Sequence, residues 1–245
     1  MSDTAAKPGV FLSARWESIL ALHYPVEADA LQPWLPEGIT LDLYEGQCWM
    51  GLIGFHFRDT RVLGLRIPGH VYFPEVNLRF YVRRRVGDQW RRGVVFVREL
   101  VPRRLIAWAA KTIYNEPYAA VPMRVADTLD SAGGRLRFEW TWHGLPYSLE
   151  GTLDGEAQPC ERDPAAAFFY EHYWGYNRNH GGMTMEYGVE HPSWSVHPVR
   201  DAAFHGSAET LYGPRLAPFL AGPPAYAHLA TGSAVIVRRG RRLAQ

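Results

Sequence analysis

The sequence predicts an α+β fold that is mainly β, with a few helices beside the sheet. Three observations carry that prediction. Strict alternation of apolar and polar residues runs through 72–83 and again through 135–143, and period two belongs to a strand whose successive side chains face opposite ways. Short β-patterned runs recur along most of the chain, separated by turns containing Gly or Pro. Aromatic residues make up 13% of the chain, with 9 Trp, 13 Tyr and 11 Phe, which is ample apolar bulk for a β-rich interior.

The elements follow in order. Residues 18–24 read as a strand ended by Pro25. Ala28, Leu31, Trp34 and Leu35 then recur at helical spacing until Pro36 and Gly38 stop them. Residues 39–44 and 47–57 flank Glu45-Gly46, a two-residue hairpin signal, and 58–69 read as a loop. Along 72–83, Val76, Leu78, Phe80 and Val82 share one face, while Phe73, Glu75, Asn77, Arg79 and Tyr81 share the other. A buried run, 94–97, follows. The clearest helix is expected over 105–115, between Pro102 and Pro117, with Lys111 in its last two turns. In the second half, 135–143 and 147–153 read as meander strands around Gly144-Leu145-Pro146. Asp163-Pro164 opens a helix through Phe168, Phe169 and His172. Residues 183–190, 193–199 and 232–238 read as further strands, with a Pro-interrupted helical piece over 208–220. No repeat or linker divides the chain, so a single domain over 1–245 is expected, with its core over about 17–243 and a short mobile N-terminal tail.

Charge and motifs exclude several classes. With 26 basic against 25 acidic residues, no overall field favours nucleic acid or an acidic membrane. No run of ~18 apolar residues and no export signal is present, so a cytoplasmic location without membrane contact is expected. Cys48 and Cys160 form neither a disulfide framework nor a metal spacing, and His172 has no ligand partner at helical spacing, so no metal and no cofactor is expected. Gly-x-Ser-x-Gly, phosphate-cradling and dinucleotide motifs are missing. The only lysines are Lys7 and Lys111, so any lysine chemistry within the fold must use Lys111.

Two places could carry chemistry. Glu75, Asn77 and Arg79 project the same way between Phe73 and Tyr81. That pattern describes either a washed strand face or a concave pocket with convergent polar groups, and the apolar character of the neighbouring runs favours the pocket. The second place is 171–178, dense in stacking and hydrogen-bonding side chains: His172, Tyr173, Trp174 and Tyr176. Its plainer reading is a helix C-terminus packed by aromatics, with His172 hydrogen-bonded in place.

Four stretches carry a family resemblance: Ala30-Leu31 through Trp34-Leu35-Pro36-Glu37-Gly38; Phe73-Pro74-Glu75-Val76-Asn77-Leu78-Arg79-Phe80-Tyr81-Val82; Tyr114-Asn115-Glu116-Pro117-Tyr118; and Glu171-His172-Tyr173-Trp174-Gly175-Tyr176. Together they resemble the uncharacterised YqjF-like family (DUF2071), which is similar to a distant branch of the acetoacetate decarboxylase-like superfamily. The resemblance implies a closed, cone-shaped antiparallel barrel with a few flanking helices. In the decarboxylases a lysine forms a Schiff base with a β-keto acid beside a second lysine and an interior glutamate. Glu75 looks like that glutamate, but the lysine positions fall on Tyr118 and Ala119, and Lys111 lies seven residues earlier.

The expected function is therefore a small-molecule pocket in which Glu75 is the acid/base, Arg79 pairs with a carboxylate or enolate oxygen and Tyr118 is a phenolic donor. Phe73, Asn77, Tyr81, Lys111, His172, Tyr173, Trp174 and Tyr176 are expected around the ligand. If it is catalytic, the chemistry is that of a Schiff-base-independent lyase, hydratase or isomerase acting on an oxo acid or related compound. The alternative is a non-catalytic binding or scaffold protein that has lost decarboxylase chemistry; a filled barrel would favour it, and an enclosed void would not. The expected partner is a small molecule, with room left for a homo-oligomer.

Overall fold

The computed structural model describes residues 8–103, 115–130 and 133–243. The helix expected over 105–115, with Lys111, lies outside these residues except for Asn115. In chain order the strands are β1 Val10–Val26, β2 Thr40–Leu41, β3 Cys48–Val62, β4 Phe73–Val86, β5 Gln89–Val101, β6 Tyr118–Ala120, β7 Met123–Asp127 and β8 Arg135–Trp142. They continue as β9 Leu145–Leu153, β10 Gln158–Pro159, β11 Trp174–Arg178, β12 Thr184–Glu190, β13 Ser195–His205, β14 Tyr226–Arg238 and β15 Arg241–Arg242. The described α-helices are short: α1 Ala28–Leu31, α2 Pro164–Tyr170 and α3 Ala208–Tyr212. The fold is α+β and mainly β.

Seven strands form a ring of hydrogen-bonded neighbours: β5, β4, β3, β1, β14, β12 and β11, which returns to β5. Six of the seven links are antiparallel; the β5–β11 link is parallel, a departure from the all-antiparallel barrel expected. That link needs Gly93, because a Cβ there would stand 2.4 Å from the Trp174 carbonyl oxygen. From β14 the sheet continues outward through β13, β9, β8 and β7.

Strands β1, β3, β4 and β5 bury both faces over much of their length, as alternation allows. The outer faces, including Leu52, Val76, Leu78, Phe80 and Val97, pack with Leu136, Phe138, Trp140 and Leu149 of β8 and β9. Gly54 permits the contact, since a Cβ there would meet the Phe138 ring at 2.7 Å. The inner faces, including Ile53, Phe55, Phe73 and Tyr81, pack with Phe168, Phe169 and Tyr170 of α2. Asp163 caps that helix by accepting from the Ala165 and Ala166 amides at 2.9 and 3.1 Å, an arrangement worth about 1 kcal/mol.

Several expectations are corrected. Glu45 and Gly46 do form a tight turn with positive φ (52° and 77°), closed by a Tyr44–Gln47 bridge, but the strand before it pairs with β4 instead of β3. Residues 58–62 prolong β3 and are not loop. The β8–β9 turn is His143-Gly144, and Leu145-Pro146 already belong to β9. The helix opened by Asp163 stops at Tyr170, before His172, and 174–178 is a strand. Among the described residues no helix is long and apolar enough to cross a membrane.

Candidate functional site

A cavity of about 230 Å³ lies inside the ring, and all seven ring strands contribute to its wall. Much of that wall is aromatic, including Trp16, Phe55, Phe57, Phe96, Phe169 and Trp194. Its polar groups come mainly from β4, β5, the segment entering β6, and β12.

On β4 the outer residues Val76, Leu78, Phe80 and Val82 are fully covered, which turns Glu75, Asn77 and Arg79 to the cavity. Glu75 is 2% exposed and Asn77 1%. Asn77 Nδ2 donates to Glu75 Oε1 at 2.9 Å, and the Tyr118 hydroxyl donates to Glu75 Oε2 at 2.9 Å. Tyr118 reaches this point because β6 runs parallel to β5, with Tyr118 opposite Glu99. Burial raises the Glu75 carboxyl to about 7, even though Asn77, Tyr118 and the Arg79 charge all pull it down. The carboxyl is thus poised to hold or release a proton near neutrality.

Two further carboxyls face the cavity. Glu99 projects inward from β5, 3% exposed, and its Oε2 has no hydrogen-bond partner. Burial, then the Glu116 and Glu75 charges, push it well above the usual carboxylate range. Glu116, 6% exposed, accepts from the Tyr187 hydroxyl at 2.9 Å. Burial raises it to about 8 against hydrogen bonds from Tyr187 and Asn177 that lower it. Tyr187 crosses β11 at Gly175, where a Cβ would stand 2.1 Å from the phenol ring.

The structure thus brings Glu75, Asn77, Arg79, Tyr118, His172 and Trp174 to one cavity. His172 Nε2 lies 3.3 Å from Asp42 Oδ2, and burial brings its imidazole down to about 4, so it is neutral there at physiological pH. Four other expected residues stand off the wall. Phe73 is on the inner face but stacks on Phe57 at 4.6 Å. Tyr81 is covered, its hydroxyl 2.8 Å from His23 Nε2. The Tyr173 hydroxyl donates to Glu171, facing a separate outer groove. Tyr176 is buried in the outer core and donates to the Arg91 carbonyl at 3.2 Å. The displacement of Tyr176 has a plain cause: 174–178 is a strand, so with Gly175 against the cavity Tyr176 faces away from it. Lys111 lies outside the described residues.

Glu99, Glu116, Tyr187, Tyr170 and His191 also line the cavity and were not anticipated. Glu99 was hidden by a β-bulge. The register steps from Leu78 opposite Arg98 to Arg79 opposite Phe96, so Val94, Phe96 and Glu99 share the inner side although their spacing breaks period two. Glu116 was visible only as part of the 114–118 stretch. Among the described residues no group of three or more His, Cys, Asp or Glu is placed to hold a metal ion.

The fold is similar to acetoacetate decarboxylase from Legionella pneumophila, with TM-score 0.68 and 11% identity over 98% of this chain and 90% of that one. It is also similar to the enduracididine biosynthesis enzyme MppR complexed with pyruvate (TM-score 0.67, 14% identity, 99% and 93% coverage). A third similar structure is an acetoacetate decarboxylase-like enzyme from Sphingomonas wittichii RW1 (0.64, 14%, 95% and 93%). At these identities the likeness concerns the fold. By sequence, the chain belongs to the DUF2071 family of uncharacterized conserved proteins, matched over residues 13–234. It is 33% identical over 110 residues to the uncharacterized protein YqjF of Bacillus subtilis, a match that spans 44% of each chain.

Proposed function

We propose that the cavity binds a small oxo acid or a related compound and moves a proton on it without a Schiff base, as a lyase, hydratase or isomerase does. The observation that carries this reading is the Glu75 carboxyl, held near 7 on the wall of the cavity inside the ring, clasped by Tyr118 and Asn77 and beside Arg79. A general base is most effective with a pKa near the working pH. Arg79 pairs with the ligand's carboxylate. Glu75 takes a proton from the carbon next to the carbonyl, the C–H electron pair forms the C=C bond of an enolate, and the former carbonyl oxygen gains the negative charge. Once Glu75 has taken the proton, Tyr118 turns its single O–H from the Glu75 carboxyl to that oxygen, and protonated Glu75 returns the proton to carbon or passes it to a leaving group. The void itself favours ligand handling over an inert scaffold, and a fold relative complexed with pyruvate supplies a ligand of the same class.

The test is NMR of 2-oxo and 3-oxo acids incubated with the protein in D2O. Wild type should exchange the hydrogens next to the carbonyl, and Glu75→Gln should slow this about 100-fold or more. Arg79→Ala should act mainly by weakening binding. Acids that bind without exchange in any variant would establish the non-catalytic alternative instead.

A further inference from the structure

The proposed chemistry uses Glu75 but leaves two buried carboxyls idle. Glu75, Glu99 and Glu116 arrive from three different segments, and among the described residues Arg79 is the one guanidinium on the cavity wall. Both Glu75 oxygens are occupied, by Asn77 and Tyr118. Glu99 stands on the cavity wall at 3% exposure, and its Oε2, like Glu116 Oε2, is buried there without a hydrogen-bond partner. An unmet buried acceptor loses its bonds to water and gains none in return, so such an atom calls for something that occupies the site. Three carboxylates cannot all ionise around so small a space with one cation beside them. With no further positive charge beside them they keep protons, which agrees with the upward direction of all three.

We propose that Glu99 and Glu116, with the Tyr187 hydroxyl, form a recognition point for a cationic nitrogen. The ligand then carries both an anionic oxygen for Arg79 and an ammonium, amidinium or guanidinium group for the carboxyl pair. This rests on the reading of Arg79 as the partner of the ligand's acid group. A cationic N–H donor fits the site in two respects: it meets the unpartnered Oε2, and it adds positive charge where, among the described residues, three carboxyls face a single guanidinium. A neutral hydroxyl does only the first. Hydrogen bonds with a charged partner are roughly twice as strong as neutral ones, so the difference is measurable. At about 30 Å³ per water, the cavity holds about eight waters, which suits a ligand of about eight to ten non-hydrogen atoms. As the cation arrives, one carboxyl of the pair ionises and its proton leaves to solvent, while the other keeps its own.

The experiment compares ω-amino acids of four to six carbons with ω-hydroxy acids of the same length by isothermal titration in two buffers of different ionisation enthalpy. Each amino acid that binds should do so about tenfold or more tightly than its hydroxy partner and release about one proton. Glu99→Gln and Glu116→Gln should remove that preference while melting curves confirm folding. Among the described residues the other titratable groups on the cavity wall are His70, Glu75, Arg79, Tyr118, Tyr170, His172, Tyr187 and His191, so the proton count is repeated in Glu75→Gln, where it should persist. Hydroxy acids binding equally well, with both series lost in Arg79→Ala, would overturn the cation site and leave the oxo-acid reading standing. If no acid binds, that reading falls, and methylammonium becomes the probe because it needs no partner at Arg79. It should shift the Glu99 and Glu116 carboxyl 13C resonances in wild type and in Arg79→Ala alike, and no shift overturns the proposal. The proposal also falls if these carboxyls are already ionised without ligand and Lys111→Gln protonates them, since the counter-charge is then the protein's own.

Discussion

A carboxyl with an ordinary value of 4.5 that sits near 7 has been shifted by more than any one of its neighbours could undo. At Glu75 the removal of water dominates, and Tyr118, Asn77 and Arg79 recover only part of the lost stabilisation of the charge. The Tyr118 hydrogen bond favours the ionised form, so Tyr118→Phe should raise the Glu75 titration above 7 and cost about 1 kcal/mol of stability. Carboxyl 13C titration reads the first and chemical denaturation the second; an unchanged or lowered value would show that the bond does not form. The same residue bears on the parent chemistry of the fold. A phenol cannot form an imine, so borohydride treatment with acetoacetate should leave the intact mass unchanged. A stoichiometric adduct on Lys111 would restore a lysine mechanism.

At the scale of elements, the shape of the cavity depends on where two strands approach without side chains. Gly175 of β11 lies opposite Tyr187 of β12, and the phenol occupies the volume a Cβ would take. Gly175→Ala should therefore push Tyr187 off Glu116 and destabilise the protein by about 1–3 kcal/mol through overpacking. Tyr187→Phe removes the same hydrogen bond without the crowding, so it should shift the Glu116 titration similarly at a smaller cost in melting temperature. Equal costs would mean that the neighbours absorb the methyl group. These elements also show what could be read in advance. The β4 face was legible because nothing interrupts its period of two, and it delivered Glu75, Asn77 and Arg79 to the cavity. On β5 a single bulge turned Glu99 inward against its apparent pattern. On β11 five residues were too few to display alternation, and their aromatic density after a capped helix resembled a helix end. Glu116 is placed by a left-handed Asn115 (φ 55°) and by Pro117, a local geometry that no periodicity reports.

For the molecule as a whole, the buried carboxyls and buried histidines oppose each other as pH changes, and their windows separate. Glu75 and Glu116 hold protons in the folded state up to about 7 and 8, while in the unfolded chain they release them near 4.5, and Glu99 is shifted the same way. Between those limits the folded state binds more protons, so this contribution to stability is full below about 4.5 and is lost as pH rises toward 8. His23, His56, His172, His191 and His228 are all lowered, chiefly by burial, from 6.5. They stay neutral when folded and charge when unfolded, so their contribution grows with pH and is complete just above 6.5. Asp42, Glu150 and Glu186 are lowered because hydrogen bonds and charges from Arg and His neighbours outweigh burial, and they lose stabilising effect only as pH falls below 4.5. From pH 6.5 to 8 the cavity glutamates therefore act nearly alone. Melting temperature should pass a maximum near pH 6 to 6.5 and fall toward pH 8, because each carboxyl still protonated in the folded state loses about 1.4 kcal/mol of stabilising effect per pH unit. Glu116→Gln should flatten that descent, because a neutral amide has no proton to lose, and Glu75→Gln should flatten its lower half. Melting curves at half-unit pH steps decide the matter. A wild-type profile level or rising between 6.5 and 8 would show that the three carboxyls are already ionised in the folded protein, and both the acid/base assignment of Glu75 and the protonated resting cavity would fall with it.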